Sequence, residues 1–136
     1  TVVSVVADHP DLAPQTPWRP WRSVLGNQIV LHVDDTDHHL VLAHLQRDSI
    51  TFRSGDHVGI GDAVGRVGNS GRSGTPRLHL HVQDGPDAAG VEGVPVPFCG
   101  YEVVDRGESW DAAYSITDGM PTGRDHPQVI RLKRAE

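Results

Sequence analysis

The sequence has 136 residues, a formal net charge of −6 and 37% hydrophobic residues, which is enough for one domain with a modest core. Its 15 glycines and 10 prolines predict many turns and argue against a helical bundle. Its basic residues form no cluster beyond Arg131, Lys133 and Arg134, which argues against a nucleic-acid partner, and its single cysteine excludes an internal disulfide and a cysteine-based zinc cluster.

The predicted strands are runs of β-branched and apolar residues bounded by turn residues. They lie at residues 1–7, 26–33, 39–45, 49–53, 77–83 and 100–104. The second and third flank an acidic turn and predict a β-hairpin with a polar tip. No segment shows a convincing helical period, so we expect an all-β, antiparallel sheet or sandwich with few or no helices. We expect the core to span residues 1–104, followed by a polar C-terminal tail at 105–136.

The glycine-rich run at 55–74 repeats the pattern Gly-Asp-x-Val at 55–58 and 61–64, which predicts short β segments separated by glycines. It lacks the lysine of a phosphate-binding loop, and no helical pattern follows it. The glycines therefore predict tight hairpins, in the manner of a barrel-sandwich hybrid, and a sharp entry into the next strand.

The strand at 77–83 carries the most distinctive side chains. Because a strand has a side-chain period of two, Arg77, His79 and His81 share one face, while Leu78 and Leu80 lie on the other. The leucine face is predicted to be the core face. Two histidines at this spacing can hold one metal ion, but spacing alone favours a polar strand face over a metal site.

His44, at the end of an earlier apolar strand, is unremarkable by itself. Whether it has a functional role depends on which residues it faces in the folded chain.

Together these features resemble the M23 metallopeptidases of the LytM and lysostaphin type. That family shows an alanine-histidine-leucine motif, a glycine-aspartate-x-valine hairpin, a valine-glycine-asparagine-serine-glycine turn and a proline-histidine-leucine-histidine strand. The matching segments, in the same order, are residues 43–45, 55–58, 67–71 and 76–79. The resemblance covers residues 1–98.

The resemblance implies roles for individual residues. His79 stands at a zinc-ligand position and His44 at a catalytic one. Arg77 replaces the family's other catalytic histidine, and a guanidinium stays protonated, so it cannot accept a proton from water. Taking His79 and His81 as the histidine pair requires a shift of two residues after Pro76, so we keep the ungapped alignment and treat His81 as a further metal-ligand candidate.

The resemblance also implies one zinc ion, whose other two ligands, a histidine and an aspartate, precede the first strand in family members. Residue 1 is Thr and a strand pattern begins at once, so we expect the chain to be part of a longer protein from which any secretion signal would come earlier. His9 and Asp11 lie in what resembles the family's variable loop, and we do not assign them as ligands. With a single clear ligand, we expect weak zinc binding or none and doubtful activity.

The implied substrate is the peptide of bacterial cell-wall peptidoglycan, and the implied location is the cell envelope or the medium. In a complete site, zinc would polarise the peptide carbonyl and lower the pKa of its bound water to about 7. Two alternatives stay open: a non-catalytic relative that binds peptidoglycan or a partner protein, and a histidine phosphocarrier of related architecture. A biotinyl or lipoyl carrier is disfavoured, because the only lysine is Lys133.

Overall fold

A computed structural model of the chain describes residues 1–17, 23–87, 91–95, 101–103 and 130–132. Five strands form one antiparallel sheet whose spatial order follows the chain. They are β1 (Val2–Val6), β2 (Asn27–His32), β3 (His39–Leu45), β4 (His79–Gln83) and β5 (Gly93–Val94). The described residues contain no helix, so the predicted all-β antiparallel fold is confirmed.

The two faces of the sheet bury different side chains because neighbouring residues of a strand point to opposite sides. One face, called here the core face, carries a buried cluster of Val2, Ile29, Leu42 and Leu45. Apolar side chains from the segment between β3 and β4 pack against it: Ile50, Phe52, Val58 and Val64. The opposite face, called here the site face, carries a smaller cluster of Val30, Val41 and Ala43.

The predicted hairpin is confirmed, since β2 and β3 pair from His32 opposite His39 to Asn27 opposite Leu45. The predicted strand at 49–53 and the short β segments at 55–58 and 61–64 are wrong: residues 49–66 form turns and irregular chain. The aspartates of the repeated motif explain the difference. The Asp56 carboxylate accepts from the Arg53 N–H at 2.6 Å, and that of Asp62 from the Gly59 N–H at 2.8 Å. Each of these hydrogen bonds closes a turn, whereas a β-ladder would require an extended backbone.

The prediction that the leucine face of β4 is the core face is confirmed at Val82, which is buried, but the two leucines are only partly covered. Leu78 is 47% exposed and Leu80 is 38% exposed. Leu80 lies opposite the buried Leu42, but the side chains that cover the core face pack against β1, β2 and β3, so β4 lies at the margin of that layer. The strand itself begins at His79, and Arg77 makes only an isolated bridge to Gly68.

The chain divides into two compact units, Thr1–Val94 and Pro95–Glu136. In the second, β6 (Tyr101–Val103) pairs with β7 (Ile130–Leu132) in an antiparallel ladder. Most of the predicted tail lies outside the described residues, and its boundary at 104/105 stays a prediction. Among the described residues, no helix is long and apolar enough to cross a bilayer.

Candidate functional site

A β-bulge in β3 brings His44 to the site face. Gln28 lies opposite Ala43 and Asn27 opposite Leu45, so His44 is an extra residue without a partner on β2. Its φ of 59° is in the left-handed region, which a non-glycine residue rarely adopts. The bulge lets Leu42 and Leu45 both face the core although an odd number of steps separates them, and it turns His44 toward the neighbouring strand. The centroids of the His44 and His79 rings lie 5.8 Å apart.

Buried polar groups from the glycine-rich turn hold this bulge. Ser70 Oγ donates to the Leu45 carbonyl at 2.8 Å and accepts from the Asn27 N–H at 2.9 Å. The Asn27 side-chain amide donates to the same carbonyl at 3.0 Å. Gly26 and Gly71, both at positive φ, lie back to back, and a Cβ on either would overlap the backbone of the other. The asparagine-serine-glycine motif therefore stabilises the bulge that positions His44, and it does not form an anion-binding loop.

Asp11 belongs to the same support. Its carboxylate accepts from the Asn69 N–H at 2.6 Å and from the Arg47 N–H at 2.9 Å, and the Asn69 amide donates to the Leu12 carbonyl at 2.7 Å. One carboxylate oxygen thus fastens the first loop to the glycine-rich turn, and the other fastens it to the chain just after β3.

The partners of His44 determine its protonation. Its Nδ1 lies 2.8 Å from the Ser70 carbonyl, which can only accept, so Nδ1 carries the proton. Its Nε2 then accepts from Arg77 Nη2 at 3.2 Å, while the same Nη2 also donates to the Arg72 carbonyl at 3.1 Å. Burial lowers the pKa of His44, the hydrogen bond to Ser70 opposes that shift, and the Arg77 charge adds to it. The imidazole is therefore held neutral, with its one lone pair engaged by a cation.

His79 and His81 lie next to this pair on the site face. His79 Nε2 is 2.8 Å from His81 Nδ1, and His81 Nε2 is 2.9 Å from Gln83 Oε1. Burial lowers the pKa of His79, and the nearby His81, His44 and Arg77 lower it further. The structure thus brings together the four side chains singled out in the sequence.

An open groove with a volume of about 800 Å³ runs beside the histidines. Its apolar lining comes from Val24, Leu25 and Val91, and its polar lining includes Gln28, His79, His81 and Gln83. A concave, mainly apolar surface with a few convergent polar groups is typical of a ligand site.

His79 and His81 are the metal-ligand candidates of this cluster. A catalytic zinc normally takes three protein ligands and keeps one position open. The described part of the chain contains no group of three or more His, Cys, Asp or Glu side chains that could hold a metal ion. These residues therefore do not form a complete zinc site.

Sequence reasoning missed three supporting residues. Gln83 continues the period-two row from His79 and could have been found from that spacing. Asn27 and Ser70 could not, because their importance depends on the register that creates the bulge.

In comparisons with known proteins, the family model of peptidase family M23 matches residues 17–92, more than half of the 136 residues. The matched range contains all four clustered side chains. No curated protein and no solved structure matches the chain.

Proposed function

The chain belongs to peptidase family M23, and on that premise we propose that it is a zinc metallopeptidase-type domain directed at the peptide bonds of bacterial cell-wall peptidoglycan. The observation that carries the proposal is the convergence of His44, Arg77 and His79 on one sheet face beside an open groove. We place the protein in the bacterial cell envelope or outside the cell, where this substrate occurs.

The groove suits a short peptide. Val24, Leu25 and Val91 offer apolar contact, while Gln28 and His79 offer polar groups to peptide amides. A volume of about 800 Å³ lies within the range of small-ligand sites, roughly 300–1,000 Å³.

The site is incomplete as a catalyst in the residues that the structure describes. Arg77 cannot serve as a base, and it engages the lone pair through which His44 would act as one. The described residues also lack a set of three metal ligands. We therefore propose that the chain as it stands binds the peptide and does not hydrolyse it.

A second candidate is a purely binding domain that uses the same groove, and the contact between Arg77 and His44 favours it. A guanidinium pairs strongly with carboxylates, which cell-wall peptides carry. In this alternative, Arg77 itself binds a carboxylate of the peptide. The arginine that replaces the catalytic histidine then strengthens peptide binding.

The experiment uses purified peptidoglycan and the soluble peptides that a muramidase releases from it. Cosedimentation and NMR shift changes report binding, and mass spectrometry reports cleavage in the presence of zinc. We expect binding at the groove without cleavage, both for the wild type and for Arg77→His. Hydrolysis by the wild type would overturn the claim of an incomplete site, and shift changes confined to other surfaces would overturn the proposed ligand.

Arg77→Met separates the two candidates. If the groove supplies the affinity, this change leaves binding within about twofold; if Arg77 anchors a carboxylate, binding falls tenfold or more, since a charged hydrogen bond contributes about 1.5–3 kcal/mol. Arg66→Met is the matched control, because Arg66 is exposed and makes its hydrogen bonds through the backbone.

A further inference from the structure

We infer that Gln83 and His81 are positioning residues that fix the tautomer of His79, leaving Nδ1 as its only lone pair. The tautomer assignment follows from hydrogen-bond chemistry alone. Its relevance to function rests on the proposed peptidase-type site.

The assignment begins at Gln83, whose orientation is settled by its neighbours. Its Nε2 lies 2.6 Å from the Gly85 carbonyl and 3.1 Å from that of Asp87. Carbonyl oxygens only accept, so the amide nitrogen must face them and Oε1 must face the other way. Gln83 is 3% exposed, so no water competes for these hydrogen bonds and the orientation is fixed within the sheet.

The orientation of Gln83 then determines both imidazoles. Because Gln83 Oε1 accepts, His81 Nε2, at 2.9 Å, must carry a proton. A neutral imidazole has one N–H, so His81 Nδ1 is an acceptor. His79 Nε2, at 2.8 Å from that acceptor, must donate, and its proton leaves Nδ1 as the lone pair of the His79 ring.

The surroundings strengthen this row of hydrogen bonds. His79 lies opposite Ala43 and His81 opposite Val41, two apolar residues that are essentially inaccessible to solvent. The apolar strand shields one side of these hydrogen bonds from water and the open groove borders the other, and linked hydrogen bonds polarise one another. The regular polar spacing of β4 therefore transmits the orientation of one buried amide to His79.

His79 and His81 therefore have different roles, although both are metal-ligand candidates in the sequence. His81 uses both ring nitrogens within the row, so it is not a metal ligand or a nucleophile. A metal ion, or a donor group of a peptide, that binds this pair binds at Nδ1 of His79.

The test is long-range heteronuclear NMR of the imidazole nitrogens, on the metal-free chain at a pH at which both rings are neutral. We expect His79 and His81 each to show a protonated Nε2 and an unprotonated Nδ1. Gln83→Met removes the acceptor and should give tautomer mixtures at both rings. A wild-type His79 protonated at Nδ1 would overturn the inference, as would unchanged tautomers in Gln83→Met with the sheet intact.

If Gln83→Met does not fold, His81→Leu provides the second route. It leaves His79 without its acceptor, and a mixture of tautomers is then expected; a single Nε2-protonated form would count against the inference. Absence of peptidoglycan binding with the tautomers as assigned would reject the proposed function alone. Binding at the groove with the opposite tautomers would reject this inference alone.

Discussion

The two faces of the five-stranded sheet are made from alternating residues of the same strands, yet they differ in chemistry. The core face buries Ile29 and Leu42 under apolar side chains from the segment between β3 and β4. The site face sets small apolar residues such as Ala43 beside polar ones such as His79. Stability and site chemistry can therefore be changed separately, except at His44, which the bulge transfers from one face to the other.

The largest loss of stability is expected at the close backbone contact between Gly26 and Gly71, which supports the bulge in β3. In Gly71→Ala, the added Cβ would overlap the Gly26 backbone at a φ of 71°. We expect a loss of about 3–5 kcal/mol in the free energy of unfolding, from strain and overpacking together, as measured by urea denaturation. Gly55→Ala is the matched control: its φ is 93°, but nothing lies within 4 Å of the new Cβ. Equal losses for the two variants would show that the close approach of Gly26 and Gly71 is unimportant.

The next largest loss of stability is expected for a side chain in the covered part of the core face, compared with one at its margin. Ile29→Ala removes a side chain that is 0% exposed, and should cost about 3 kcal/mol of unfolding free energy. Leu80→Ala, on the uncovered margin, should cost less than about 1 kcal/mol. Similar values in urea titrations would mean that Leu80 is covered in solution.

A smaller effect is expected for Ser70→Ala. The change leaves the buried Asn27 N–H without its acceptor and removes one donor to the Leu45 carbonyl, which should cost about 2 kcal/mol. Ser54→Ala, which removes an exposed hydrogen bond, is the control. Ser70→Ala should also broaden or shift the NMR signals of His44. Unchanged His44 signals would show that Ser70 does not support the bulge.

The smallest effect is a pH dependence of stability. The pKa of His44 is lowered in the folded chain from the ordinary value of 6.5, so the unfolded chain binds a proton first as the pH falls. The stabilisation is present above pH 6.5 and is lost as the pH falls through the folded pKa. His44→Gln should flatten part of this slope in unfolding titrations between neutral and mildly acidic pH. An unchanged slope would show that His44 is not the group responsible.

The sequence predicts the sheet well where local pattern decides. The β2–β3 hairpin and the shared face of His79 and His81 follow from alternation and turn residues alone. The position of His44 does not, because alternation places it on the core face and only the pairing register reveals the bulge. The short β segments predicted at 55–58 and 61–64 do not form, because the Asp56 and Asp62 carboxylates accept hydrogen bonds from nearby backbone N–H groups, and the apolar pattern of the sequence does not reveal these bonds.

The central claim is that the described residues assemble a family-like histidine site without a complete metal site, and the zinc content of the protein tests that claim most directly. After dialysis against metal-free buffer, we expect zinc far below one ion per chain, because the described residues hold no group of three or more suitable ligands. One zinc ion per chain that survives dialysis, and that is lost in His79→Gln, would contradict the account.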